Sequence, residues 1–299
     1  MPVNVTGTGY EKNLYTRIVR GEEADDIEQW LDHEFESPAK EPLQRVLADK
    51  ELTQGDWEIL VRFLACQIVR TPAFFIKYLP IWKRWAQELL DEKKEDFEAS
   101  LREPKGSGKR IIYDDVPHRE YFPFKIDWKD LPEENKVRFT RKLLVGRGLW
   151  FYTMKRTLTD TLKVLHKHKW TILEAPARLR WFTSDDPVIC LNFQSESDYD
   201  FNGGWNSERA NILFPLSPRH LMITQIGANT YPRRVPSCYH ARLFRRLIAE
   251  HAYRRIYSSA EDGKIPQLKP RMEDSVAYQN ERKLWATWYE DQSRAEQAL

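Results

Sequence analysis

Two adjacent carboxylates, Asp185 and Asp186, stand between Ser184 and Pro187 in the stretch LRWFTSDDPVICLNFQ, with an apolar run on either side. A carboxylate at the end of a strand is a good place to hold a divalent cation or to activate a water molecule. Successive residues of an extended chain face opposite ways, so one of the pair faces a pocket, and Asp185 is the candidate ligand for Mg2+ or Mn2+. A competing role needs no ligand. Ser184 or Asp185 can hydrogen-bond the turn's own backbone ahead of the rigid proline, as Asx turns do, and on residue types alone this role is favoured.

Four further residues have chemistry to offer. Arg70, in Arg70-Thr71-Pro72, can clamp a phosphate or carboxylate through two parallel hydrogen bonds. It also sits where a cation complements a helix C-terminus, and a structural ion pair with Glu28 or Glu36 is its simpler role. Glu28 and Glu36 are eight residues apart, so an unbroken helix would carry them on roughly one face. His118 lies in a long loop and is the histidine to test as an acid–base group. His166 and His168 flank Lys167 at a helix end, where they complement the dipole. Arg246 and His251 match the Arg-x4-His spacing of small helical ribonucleases of the HEPN type, a pattern short enough to arise by chance in an arginine-rich helix. The seven histidines form no metal-ligand motif, and the chain has no phosphate-binding glycine loop, nucleophile elbow or H-E-x-x-H.

The composition bounds these options. In 299 residues, 41% are hydrophobic and 31% charged, which suits a folded chain with a substantial core. Net charge is +2, so nucleic acid is neither demanded nor excluded by charge; the basic, aromatic stretches Lys77–Trp85 and Arg242–Arg255 are local candidates for it. Cys66, Cys190 and Cys238 are odd in number and far apart, which fits buried thiols in a reducing, cytoplasmic setting. No signal peptide is evident and no apolar run approaches the ~20 residues a membrane helix needs.

Periodicity and caps predict the scaffold. A helix opens at Asp25-Asp26 with Ile27, Trp30, Leu31 and Phe35 on one face, and Ser37-Pro38 breaks or restarts it. Thr53 and Asp56 form a capping box ahead of a helix carrying Trp57, Leu60, Val61, Leu64 and Ile68. Thr71 caps the next helix, over 72–98. A loop over 103–131, with a short strand at 110–113, leads to a long helix from Asp130 and Pro132 to about Lys167, in which Gly146 and Gly148 mark a bend or close crossing. Strands are predicted at 170–174, 179–183, 188–193, 211–214 and 220–226, with a polar loop over 194–209. A helix runs from Ser237 to about 258, and a last one spans 283–289. The result is an α+β fold: an N-terminal helical layer, a small mostly antiparallel sheet at about 170–226, and closing C-terminal helices. It is expected as a single domain over 1–299, helical over 20–168, with sheet and closing helices over 169–299.

Several stretches together resemble one uncharacterised bacterial family, domain of unknown function 4238. They are Asn13-Leu14-Tyr15, Ile27-Glu28 with Glu36, Gln67 with Arg70-Thr71-Pro72, Phe182 to Val188, and Phe214-Pro215-Leu216-Ser217-Pro218, in matching order over roughly residues 12–258. Two departures stand out: a proline-containing opening strand is missing, and Arg245-Arg246 occupies a place where the family often has Asn. The resemblance implies a fold and a set of positions, not an activity. The resulting expectation is a hydrolase acting on nucleic acid or a nucleotide, with Asp185 aided by Asp186 or Glu36, and with Arg70 stabilising phosphate charge. The competing expectation is a non-catalytic sensor or protein-interaction module.

Overall fold

A computed structural model describes residues 12–102, 121–131, 136–228, 234–268 and 274–298. The chain begins with a small hairpin, β1 (Arg17–Val19) and β2 (Glu22–Ala24), then α1 (Asp26–Leu31), a π-helical turn (Asp32–Glu36), α2 (Ser37–Leu47), α3 (Gln54–Val69) and α4 (Pro72–Arg102). There follow β3 (Phe124–Leu131), β4 (Lys136–Leu143), α5 (Arg147–Thr159) and a 3-10 turn (Thr161–Lys167). Next come β5 (Thr171–Glu174), β6 (Thr183–Ser184), β7 (Ile189–Ser195), β8 (Asp198–Asp200), β9 (Asn211–Pro215) and β10 (His220–Gln225). The chain closes with α6 (Cys238–His251), β11 (Ile256–Tyr257), α7 (Ile265–Leu268), α8 (Ser275–Ala286) and α9 (Trp288–Gln297). The fold class is α+β, as the patterning predicts.

The chain divides into two compact units. The first is built mainly from Gln29–Phe74 and Thr157–Arg282. Its five-stranded sheet has the order β5-β10-β9-β7-β8, and every neighbouring pair is antiparallel. β9 and β10 are buried almost end to end, which requires cover on both faces of the sheet. Alternation assigns it. Leu213, Leu221 and Ile223 cluster with Ala241, Phe244, Leu247 and Ile248 of α6, while Phe214, one residue out of phase, packs its ring 5.8 Å from Phe63 of α3. Each such fully buried side chain contributes about 1.5–3 kcal/mol.

The second unit comprises Asn13–Glu28, Phe75–Arg156 and Lys283–Leu299. Its centre is aromatic. Phe75 lies 5.8 Å from Trp82, 5.2 Å from Trp150, 5.7 Å from Trp285 and 4.8 Å from Trp288. That cluster uses four of the chain's eleven tryptophans. Beside it Arg147 is fully buried. Its guanidinium donates to both Glu296 oxygens at 2.8 and 2.6 Å, and Glu296 also accepts the Ile18 amide at 2.7 Å. A buried cation is tolerated only with such a partner.

The local stop and start signals hold well. Thr53 and Asp56 complete their capping box in both directions, Thr71 accepts the Phe74 amide, and Ser237 accepts the His240 amide. Ser37-Pro38 restarts rather than ends the first helix, since the π-helical turn runs directly into α2 with proline in its first turn.

Five expectations are corrected. The long helix from Pro132 does not form over its first half: Phe124–Leu131 and Lys136–Leu143 pair as an antiparallel hairpin, and helix begins only at Arg147. Val137, Leu144 and Phe151 fit a helical stripe, but Lys136-Val-Arg-Phe-Thr-Arg also alternates with period two, and the alternation wins. Gly146 takes φ +138° ahead of α5, and a Cβ on Gly148 would stand 2.7 Å from Pro123, so the two glycines serve a turn and a close approach. The predicted loop over 103–131 ends in strand β3, and its predicted strand at 110–113 lies outside the described residues. Leu179–Phe182 is not a strand; only Thr183–Ser184 pairs, with β11. The helix from Ser237 stops at His251, and the last predicted helix spans two, α8 and α9. Smaller strands appear at β1 and β8, where irregular chain was expected.

Glu296→Ala is expected to leave the Arg147 guanidinium buried without its counter-charge and to lower stability by about 3–5 kcal/mol, read as a drop in the urea midpoint at unchanged slope.

Candidate functional site

The acidic bend is built from the chain on either side of it. β6 delivers Ser184, whose hydroxyl donates to the Asp186 carbonyl at 2.7 Å and accepts the Asp186 amide at 3.2 Å. The Asp185 carboxylate accepts from three successive backbone amides just beyond α6: Tyr253 at 3.1 Å, Arg254 at 3.1 and 2.9 Å, and Arg255 at 3.1 Å. The Asp185 amide in turn donates to the Arg255 carbonyl at 3.2 Å. Asp186 holds His251: the ring Nδ1 donates to the Asp186 carbonyl at 3.1 Å, and Nε2 lies 3.5 Å from its carboxylate. The bend therefore ties off the end of α6. This is the backbone-bonding role, with partners far away in sequence rather than within the turn.

The other candidates are placed as follows. Arg70, the C-cap of α3, forms an ion pair with Glu36 at the end of the π-helical turn. Glu28 is exposed on α1 and falls in the other compact unit. His118 lies outside the described residues. Arg70 thus meets Glu36, and Asp186 meets His251, while the partners of the Asp185 carboxylate are amides and not Arg70. Both Asp185 oxygens are occupied by N–H donors, which is a poor starting point for a metal ligand. Among the described residues, no three His, Cys, Asp or Glu side chains converge as a cation site would need.

Arg246 and His251 share α6 but serve different neighbours. Arg246 donates to the Glu196 carbonyl at 3.0 Å, lies 3.6 Å from Glu250, and stacks over Tyr199. Arg245, one residue earlier, is buried over the Phe182 ring, donates to the Arg180 carbonyl and pairs with Asp262. The arginine that departs from the family's pattern is thus a core cation with its own counter-charge. A pocket of about 230 Å³ beside β7 and β8, lined by Asn192, Tyr199, Asp200, Glu208 and Arg209 among others, includes none of the predicted residues. It is smaller than the roughly 300 Å³ at which small-molecule sites begin.

One constellation was missed. In the β9–β10 turn the Ser217 hydroxyl donates to His220 Nδ1 at 2.8 Å, and His220 Nε2 donates to Asp49 at 2.9 Å. His220 is buried, and Asp49 follows α2 at φ +53°. Around Asp49 the charges close into a ring: Arg219 lies 3.4 Å from Asp49 and 3.5 Å from Glu174, and Arg234 lies 2.5 Å from Glu174 and 3.7 Å from Asp49. The His220 hydrogen bond, then the nearby arginines, holds the Asp49 carboxyl below its ordinary range. The Ser217-Pro-Arg-His220 spacing hints at the first link. Nothing local points to Asp49, 171 residues away.

A family model described as Protein of unknown function (DUF4238) matches residues 1–262. The chain belongs to that family. No curated protein and no solved structure matches the chain. The DUF4238 match spans both the acidic bend and the Ser217–His220 turn, so both are parts of the family's own domain.

Two outcomes follow. Asp185→Asn removes one of two acceptor oxygens from a three-amide grip and is expected to lower stability by about 2 kcal/mol, measured by chemical denaturation. Asp49, Asp56 and Asp262 all sit below their ordinary carboxyl value of 3.8, through hydrogen bonds from His220, Thr53 and the Lys264 amide respectively. A depressed folded pKa adds stability that is complete above the unfolded value and is lost as pH falls through the folded one. The denaturation midpoint should therefore hold down to about pH 4 and fall steeply only below it; the triple Asp→Asn variant should be less stable above pH 4 and flatter below it.

Proposed function

We propose that this DUF4238 chain is an interaction module that presents its surface to a partner in a reducing, cytoplasmic setting. The observation that carries this reading is the full occupancy of the Asp185 carboxylate by the amides of Tyr253, Arg254 and Arg255. A carboxylate that binds metal or activates water keeps lone pairs open toward a cavity; this one spends them on the chain. The Arg70–Glu36 pair points the same way, since a phosphate-binding arginine needs its fork available. The three free cysteines suit the proposed setting. Thermal unfolding with and without MnCl2 or MgCl2 is the test. An unchanged midpoint is expected, and a metal-dependent rise that disappears in Asp185→Asn would overturn the reading.

A second reading keeps the hydrolase on nucleic acid or nucleotide but moves it to the β9–β10 turn. Ser217, His220 and Asp49 follow one another in the order of a nucleophile, its base and the carboxylate that orients the base. Against it, the Ser217 oxygen also accepts the Arg219 amide at 3.0 Å and the His220 amide at 3.1 Å, so both lone pairs are engaged. A fluorophosphonate probe separates the readings: no labelling is expected, and labelling abolished by Ser217→Ala would favour the hydrolase.

A further inference from the structure

The β3–β4 hairpin is paired without interruption, from Phe124 opposite Leu143 to Leu131 opposite Lys136. The pleat puts alternate residues on opposite faces of such a ribbon. Positions 124, 126, 128, 130, 137, 139, 141 and 143 share one face, which holds six apolar residues, Phe124, Ile126, Trp128, Val137, Phe139 and Leu143, with Asp130 and Arg141. The opposite face holds Lys125, Lys129, Lys136, Arg138 and Lys142, with Asp127 as its one acidic residue. The base of the ribbon shows which face is outward. Phe124 and Leu143 are half-buried, with the Phe124 ring 6.0 Å from Phe122, while Lys125 and Lys142 are exposed.

The register sets like charges against each other. Lys125 stands directly opposite Lys142, and Lys129 directly opposite Arg138. Like charges in facing positions of an antiparallel pair destabilise it, whereas threonine or opposite charges there would strengthen it. The Lys142 ammonium donates to the Ala298 carbonyl at 2.9 Å, which fixes one lysine without cancelling its charge. A ribbon that retains this repulsion gains stability when an anion lies along the face. Each strand has eight residues and so spans about 27 Å, with the strands ~4.8 Å apart. A two-stranded ribbon of that width fits the major groove of B-DNA, ~12 Å across, where phosphates flank it on both sides.

We propose that the basic face of the β3–β4 ribbon, with Lys125 opposite Lys142 and Lys129 opposite Arg138, binds duplex DNA through its phosphates. This goes beyond the module reading by naming the partner and its surface, and it stands on the ribbon's register rather than on the acidic bend. The test is fluorescence anisotropy of the full-length chain with a labelled random-sequence DNA duplex over a series of salt concentrations. Wild type is compared with the double variant Lys129→Thr/Arg138→Thr. Wild-type affinity should fall linearly on a log–log plot against salt. The double variant should bind more weakly at every salt, with the slope reduced by about 2. Its melting temperature should be equal or higher, because a like-charge pair has gone. Lys125→Thr, with a slope reduced by about 1, serves if the double variant fails to fold. The proposal is overturned if wild type does not bind the duplex, if the variants keep affinity and slope, or if single-stranded RNA or anionic vesicles bind more tightly than the duplex. None of these readings involves metal or Asp185, so they stand apart from the test of the module itself.

Discussion

The grip of Asp185 on the amides of Tyr253, Arg254 and Arg255 is the interaction on which the first unit's architecture turns. A chain leaving a helix carries backbone groups that need new partners, and burying them without partners is costly. Here a carboxylate collects three amides at once, through charge-assisted bonds roughly twice as strong as neutral ones. That grip ends α6 at His251 and turns the chain into β11, which then pairs with β6, the strand that delivers Asp185. Ser184 and Asp186 complete it from either side, the first by bonding within the turn and the second by holding His251. The bend and the helix end thus define each other.

The β9–β10 turn is fixed by a different device. Ser217 accepts the amides of its own turn, and His220 carries the connection from Ser217 to Asp49 after α2. The ring of Asp49, Arg219, Glu174 and Arg234 extends it, but both arginines are at least half-exposed, so each pair is screened and worth little alone. The buried His220 link is the stronger element. The second unit makes the contrast clear: Arg147, with no exposed surface, requires Glu296, and there removal of one partner is severe where removal of an exposed one is mild.

Much of this was legible wherever the cause is local. Thr53 and Asp56, Thr71 and Ser237 each act within three residues, and each cap forms as its sequence predicts. The apolar runs of β7, β9 and β10 admit only buried strands, and they appear within two residues of the expected bounds. The β3–β4 ribbon was missed because Val137, Leu144 and Phe151 satisfy a helical stripe as well as Val137 and Phe139 satisfy an alternation. Only a pairing partner decides between them, and that partner is Trp128 opposite Phe139. The bend was legible as residue types and not as a role: Asp185 reaches amides 68 to 70 residues away. Leu179–Phe182 reads as a strand by composition, yet the Trp181 amide donates to the Pro218 carbonyl and its indole to the Arg219 carbonyl, so the segment anchors the β9–β10 turn instead.

How each unit disposes of its charge bears on where a partner acts. Within the first unit, opposite charges meet in contact: Arg70 with Glu36, Arg245 with Asp262, His251 with Asp186, and the alternating ring at Asp49. Inserting a ligand there means breaking an existing pair, so any gain is reduced by what is lost. The β3–β4 ribbon of the second unit reverses this, because its register brings cation to face cation. An anion added to that face separates no pair and relieves a repulsion, so its attraction adds to ribbon stability instead of competing with it. By that argument the acid-rich bend, which first draws the eye in the sequence, belongs to the protein's own folding. The basic ribbon is the part whose electrostatics are completed from outside.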